Sequence, residues 1–289
     1  MSKDETLLEL HHLSWVDAAA RIALDPRLIV PVGALEQHGR NLPLGTNALI
    51  TRRIAHDLSR AARVLCAPTL SYGVNVSMER HFVGTASLRP KTLHRALNDL
   101  LASWEPQGVK EFIIITAHRH EPHLDALATL VTQGARVRVV SIWDVPIGDL
   151  LQTQTGPKHG GEAEMSVMMH LYPDRVDMGR SSNLNQTRAG NGVGTASAGG
   201  GSKDDGAGAT GDRTAAGRDG DTPDEKGAAG ERAHAIVDGP VSDDDEIARH
   251  VAAASAEKGA VIYDRLLTTI RRAVLDGAGP QTEEDTDTL

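Results

Sequence analysis

Leu28-Ile29-Val30-Pro31-Val32-Gly33-Ala34-Leu35-Glu36-Gln37-His38-Gly39-Arg40-Asn41-Leu42-Pro43-Leu44-Gly45-Thr46-Asn47 joins an apolar run to a carboxylate, an imidazole and a Pro/Gly-rich turn. Leu28 to Val32 is apolar on both faces, as a central strand of a parallel sheet must be when helices cover both sides. Glu36 and His38, two residues apart beyond the strand end, make half of a metal site.

Working outward, Ser14 to Leu24 reads as a helix with Ser14 as its N-cap, ended by Asp25-Pro26. Downstream, Ile50, Ile54, Leu58 and Ala61 recur at helical spacing, which predicts an amphipathic helix over 47–62 leading into a strand at 63–67. The loop from Ser71 to Thr85, which contains Ser77, is too long for a simple connection and reads as functional. Pro90 suits the first position of a helix carrying Leu93, Leu97, Leu100 and Leu101 on one face. Phe112-Ile113-Ile114-Ile115-Thr116 is the most apolar stretch and runs straight into Ala117-His118-Arg119-His120-Glu121-Pro122-His123. A helix through Leu124, Leu127, Leu130 and Val131 follows, ended by Gly134, and then a strand from Arg136 to Ile142. The repeated strand, loop, helix order implies an α/β fold of parallel strands joined by right-handed crossovers. Ligands in such folds bind beyond the carboxyl ends of the strands, where both histidine-containing loops fall.

At 289 residues the chain reads as a single domain, 1–289, with one long insertion. Thirteen of the 29 glycines lie between Gly190 and Gly230 among small polar residues, so about 185–232 reads as disordered: it has too little apolar surface to offset its ordering entropy. Gly190-Asn191-Gly192-Val193-Gly194 lies inside this segment without a preceding strand, which argues against a dinucleotide loop. Order is expected to resume at Ala235-Ile236-Val237. A helix from about Asp244 to Leu275, broken near Gly259, and a frayed acidic tail after Gly277 complete the chain.

A net charge of -9 with no Lys/Arg cluster excludes a general polyanion-binding role, so no nucleic-acid partner is expected. No apolar run is long enough for a membrane span, and the charged N-terminus is not followed by a signal-like segment; cytoplasm is the expected location. The single Cys66 lies in a predicted strand and reads as a small buried hydrophobe, leaving metal ligation to His and carboxylates.

Three clusters can carry chemistry: Glu36/His38 with Asn47; His118, His120, Glu121 and His123; and His159-Gly160-Gly161-Glu162-Ala163-Glu164. A divalent metal needs three or four such ligands and an open position for water. Glu162 and Glu164 equally suit the first turn of a helix, where the dipole favours a carboxylate, and Met165, Met168 and Met169 read as core filler. Trp143, just past a strand, could cover a planar substrate or simply pack.

These residues resemble the creatininase (creatinine amidohydrolase) family. Pro31 to Asn47 is similar to its P-V-G-S-x-E-Q-H-G-x-H-L-P-L-x-T-D signature, His81-Phe82-Val83-Gly84-Thr85-Ala86-Ser87-Leu88 to F-P-G-T-x-S-L, His159 to Ser166 to H-A-G-x-x-E-T-S, and Ala254-Ser255-Ala256-Glu257-Lys258-Gly259 to A-S-x-E-K-G. The resemblance implies a three-layer α/β/α sandwich with a mainly parallel central sheet, often hexameric. It also implies metal-dependent hydrolysis of amide C–N bonds in small substrates such as lactams, formamides or peptide-like molecules. By position it gives Glu36, His38, His120 and Glu164 as ligands of one or two divalent ions, Zn, Mn or Fe. His159 takes the place of a proton-transfer group. Glu121 is a further catalytic candidate, and Ser77, His118, Trp143 and Asp144 are candidates for substrate contact.

Asn47 stands where the family has the metal-bridging aspartate, a neutral carbonyl in place of a carboxylate, and is a poor bridge between two cations. Three readings follow from that substitution. The first is an amidohydrolase with one metal, or with a second site rebuilt by Glu121 or His118. The others are a changed metal-assisted reaction on the same fold and a metal-poor, non-catalytic assembly subunit.

Overall fold

The computed structural model describes residues 8–77, 81–183 and 244–276. The expected insertion, the resumption at Ala235-Ile236-Val237 and the tail after Gly277 lie outside the described residues. Among the described residues, four strands, β1 (Arg27–Pro31), β2 (Leu65–Cys66), β3 (Glu111–Thr116) and β4 (Arg136–Ser141), form one parallel sheet in the order β2-β1-β3-β4. The helices are α1 (Trp15–Leu24), α2 (Thr46–Ala62), α3 (Pro90–Trp104), α4 (Glu121–Ala128), α5 (Glu162–Leu171), α6 (Asp244–Ala253) and α7 (Ala256–Arg271).

The doubly apolar run is therefore an interior strand, with Ile29 opposite Cys66 on one side and Ile113 on the other. Alternation along the strands sends Ile29, Ile113 and Ile115 into a core shared with α2, α5 and α7. Leu28, Val30, Phe112 and Ile114 enter a second core with α1, α3 and α4. Both faces of the sheet are covered, which gives the three layers expected. Ser14 caps α1 by accepting from the Asp17 N–H, and Pro90 occupies the start of α3. Cys66 is buried, and burial pushes its thiol up to about 12, in keeping with a packing role.

Two boundaries differ from the sequence reading. Helix α4 stops at Ala128, short of Gly134, because the following residues are drawn onto α3 and its end. Val131 N–H donates to Asn98 Oδ1, His94 Nε2 lies 3.0 Å from the Thr129 carbonyl, and Gln133 and Ala135 N–H both donate to the Glu105 carboxylate. The C-terminal break falls between α6 and α7, not at Gly259. Ser255 caps α7 by accepting from Lys258 N–H, and Gly259 is a buried residue inside that helix.

Two glycines set where the functional side chains meet. A Cβ on Gly33 would lie 2.5 Å from Ala48 Cα, so its absence lets the chain leaving β1 pass directly against the start of α2. A Cβ on Gly259 would lie 1.9 Å from the Ser166 carbonyl oxygen, so α7 crosses α5 at backbone contact. Gly259→Ala should force the helices apart and cost about 3 kcal/mol by urea denaturation. A loss within experimental error would show that this crossing does not constrain the fold.

Candidate metal centre

Glu36 and His38 leave the carboxyl end of β1, His118 and His120 that of β3; Asn47 lies in the first turn of α2 and Glu164 in that of α5. Glu36, His38, Asn47 and Glu164 are all buried. His159 is part-exposed at the mouth, its ring 4.3 Å from that of His38. Gly160, at φ +62°, lies against the His38 backbone and lets the loop before α5 reach it.

The Glu36 Oε1 atom is the point of convergence. It accepts from Asn47 Nδ2 at 2.6 Å and lies 2.9 Å from His118 Nδ1, 3.6 Å from His159 Nδ1 and 3.8 Å from His38 Nε2. Burial opposes ionisation of Glu36, but the charge and hydrogen bond of His118, with help from His38 and His159, hold the carboxyl well below its ordinary range. His118 is raised despite its burial, because Glu36 favours its charged form. The Val74 carbonyl, 2.7 Å from His118 Nε2, accepts from that nitrogen and fixes the ring.

His38 shows what the cluster lacks. Its Nδ1 is 3.0 Å from the Glu36 carbonyl, which can only accept, so the proton is on Nδ1 and an unshared pair is on Nε2. That Nε2 is buried, 3.7 Å from Glu164 Oε2, and makes no hydrogen bond to any described residue. Burial, then the neighbouring His159 charge, lower this ring to about 3, which keeps it neutral. Asn47 Oδ1 is likewise buried without a hydrogen bond among the described residues. Buried polar atoms are normally paired, so two such acceptors beside two carboxylates fit a cation. Ligand atoms about 3.4 Å apart are what bonds of about 2.1 Å at tetrahedral angles require, close to the separations found. Glu36, His38 and His159 bring ligand atoms within 4.8 Å of one another.

Glu164 Oε2 accepts from Gly160 N–H at 2.7 Å; burial pushes its carboxyl up to about 7 against the opposing pull of His159 and that N–H. Its neighbour Glu162 points the other way and has a structural task. It accepts from Gln152 N–H, Thr153 N–H, Thr153 Oγ1 and Lys258 Nζ, which outweigh its burial and lower it to about 2. This clasp ties the loop before α5 to α7, and sequence reasoning missed it. The signal available was the Lys258-Gly259 pair of the last motif.

Other candidates fall differently. His120 is half-buried at the N-cap of α4, its ring 6.1 Å from that of His118. His123 is buried beneath the site, its Nε2 3.2 Å from Thr116 Oγ1, and its Nδ1 accepts from Val74 N–H. Glu121, Ser77 and Asp144 are exposed, and the structure does not bring them into the converging group. Trp143 is 3% exposed in the core shared by α2, α5 and α7, because the turn after β4 folds its ring inward; in this chain it packs and does not cover an opening.

Comparison with known proteins places this geometry. The family model described as Creatininase: Creatinine amidohydrolase matches residues 11–274. A creatinine amidohydrolase of Pseudomonas putida is 30% identical over 190 residues, 58% of this chain and 73% of the relative. A mycofactocin precursor peptide peptidase of Mycolicibacterium smegmatis is 30% identical over 164 residues, 52% of this chain and 60% of the peptidase. A solved structure titled "Creatininase Mn" superposes with a TM-score of 0.65 at 22% identity, covering 94% of this chain and 99% of that one, a likeness of fold.

In metal-free protein, an unfolded Glu164 ionises above about pH 4.5 while the folded one keeps its proton up to about 7. Stability should therefore fall as pH rises through that window, by about 3 kcal/mol from this group. After chelation, Glu164→Gln should match the parent in urea unfolding at about pH 4.5 and exceed it at about pH 8. An unchanged difference between the two pH values would contradict the raised carboxyl.

Proposed function

Because this chain belongs to the creatininase family, we propose that it is a metal-dependent amidohydrolase cleaving a C–N amide bond of a small substrate. The observation that carries the reading is the buried His38 Nε2, its unshared pair beside Glu36 and Glu164 with no hydrogen-bond donor among the described residues to meet it. His38, Glu36 and Glu164 would hold the ion, with Asn47 Oδ1 as a neutral fourth donor. His and carboxylate ligands suit Zn or Mn. The bound metal supplies a water acidified toward neutral pH and a Lewis acid for the amide carbonyl.

The remaining steps belong to the chain's own residues. His159 donates from Nε2 to the Gln37 carbonyl at 2.5 Å, so in the neutral ring the unshared pair is on Nδ1, on the Glu36 side. A ring fixed in this tautomer at the open side of the centre can take a proton at Nδ1 and return it to the leaving nitrogen. Glu36 orients the cluster. His118 and Asn47 already engage its Oε1, which limits the cations this carboxylate can serve and supports one catalytic metal per chain. His120 stands beside the centre, its ring 6.1 Å from that of His118, and Glu121 is assigned no step.

The substrate class is a lactam, formamide or short peptide, in line with relatives named for creatinine and for a precursor peptide. The chain works as a homo-oligomer, a hexamer by family resemblance, in the cytoplasm. Trp15 at 82%, Leu24 at 80% and Val83 at 98% exposure are apolar surface that an assembly would cover.

Chelator dialysis should abolish hydrolysis across a panel of lactams, formamides and short peptides, and Mn or Zn should restore it. His38→Ala, folded by circular dichroism, should bind the metal at least about 100-fold more weakly and stay inactive at parental metal levels. Asn47→Asp should raise the metal count by one over the parent. Full turnover after chelation would contradict the proposal.

A further inference from the structure

A second cluster of metal-ligating side chains lies at the edge of the sheet. The segment before α1 runs parallel to the edge strand β2, with Glu9 bridged to Cys66. This pairing buries the Glu9 carboxylate, and Glu9, His11 and His12 bring ligand atoms within 4.8 Å of one another. His11 Nε2 is 3.3 Å from Glu9 Oε2, and the His11 and His12 rings are 4.0 Å apart. From α2, His56 brings its Nε2 to 3.0 Å from the other Glu9 oxygen, while its Nδ1 faces Asp57 Oδ1 at 3.6 Å. A cavity of about 250 Å³ opens beside the group, walled by Glu9, His11, His56, Arg52, Thr69 and Ser71 among others.

We propose that Glu9, His11 and His12 form a second divalent-metal site of the zinc class, with His56 of α2 against the other Glu9 oxygen, which fastens the N-terminal segment to α2 and to the edge of the sheet. Imidazole nitrogens and a carboxylate oxygen are the donor types that zinc takes. The 3.3 Å between Glu9 Oε2 and His11 Nε2 is close to the ligand–ligand edge of a tetrahedral zinc site. Three ligands within four residues, joined through Glu9 to His56 of a helix, give the arrangement of a structural clip. Its donors are separate from the catalytic group, and it stands whether or not the amidohydrolase reading does.

The test empties the first centre and counts metal in the second. Full-length His38→Ala/Glu36→Gln protein, loaded with zinc and freed of excess by gel filtration, should retain about one zinc per chain by elemental analysis. Adding His11→Ala and His12→Ala should remove that zinc. Zinc should raise the thermal midpoint of the first variant and leave that of the second unchanged. Cobalt(II) in the first variant should give the visible bands of a tetrahedral N/O site. In the otherwise natural chain, His11→Ala/His12→Ala should keep its amide hydrolysis. The site is refuted if the first variant retains no zinc, if the retained zinc survives loss of both histidines, or if zinc is held only at millimolar concentration. Failure of the catalytic reading would instead appear as turnover that survives chelation in the natural chain.

Discussion

Glu36 is a carboxylate buried at the carboxyl end of an interior strand, and taking such a charge out of water is costly unless partners surround it. The supporting residues come from three separate parts of the chain: Asn47 from α2, His118 from the end of β3 and His38 from the residues just beyond Glu36 itself. Gly33 allows the first of these to approach and the Val74 carbonyl orients the second. The centre is thus a condition on how the sheet and α2 pack as much as a site of chemistry. In the proposed function, a cation between His38, Glu36 and Glu164 would meet the unshared pair that His38 Nε2 presents there.

The opposite wall depends on the clasp between Glu162 and Lys258. Two acidic positions in the first turn of α5, two residues apart, have opposite tasks, and their surroundings decide which. Glu162 collects four donors and stays ionised, whereas Glu164 finds one backbone N–H and two distant imidazoles and is pushed up. The helix after the insertion therefore reaches the centre indirectly: Gly259 brings α7 onto Ser166, Lys258 fixes Glu162, and Glu164 follows from the orientation of α5.

The order of strands and helices was legible in the sequence, because a run such as Phe112 to Thr116 is explained by burial on both faces and little else. So was the meeting of Glu36, His38, Asn47 and Glu164, through motifs that end at strand and helix ends. Other features depended on long-range contacts that leave no local periodicity. The end of α4 is set by Asn98 and Glu105 on a neighbouring element, and Trp143 turns inward because the core beside α5 has room for it. His118 stood in a row of equivalent histidines, and only the fold shows that it is the one against Glu36 while Glu121 faces solvent.

The most direct measurement is anomalous diffraction at the metal edge from crystals of the metal-loaded protein. The account predicts a peak about 2.1 Å from His38 Nε2 and within bonding distance of the Glu36 and Glu164 carboxylates, with His118 still hydrogen-bonded to Glu36. A catalytic metal bound elsewhere, with His38 Nε2 uncoordinated, would contradict it.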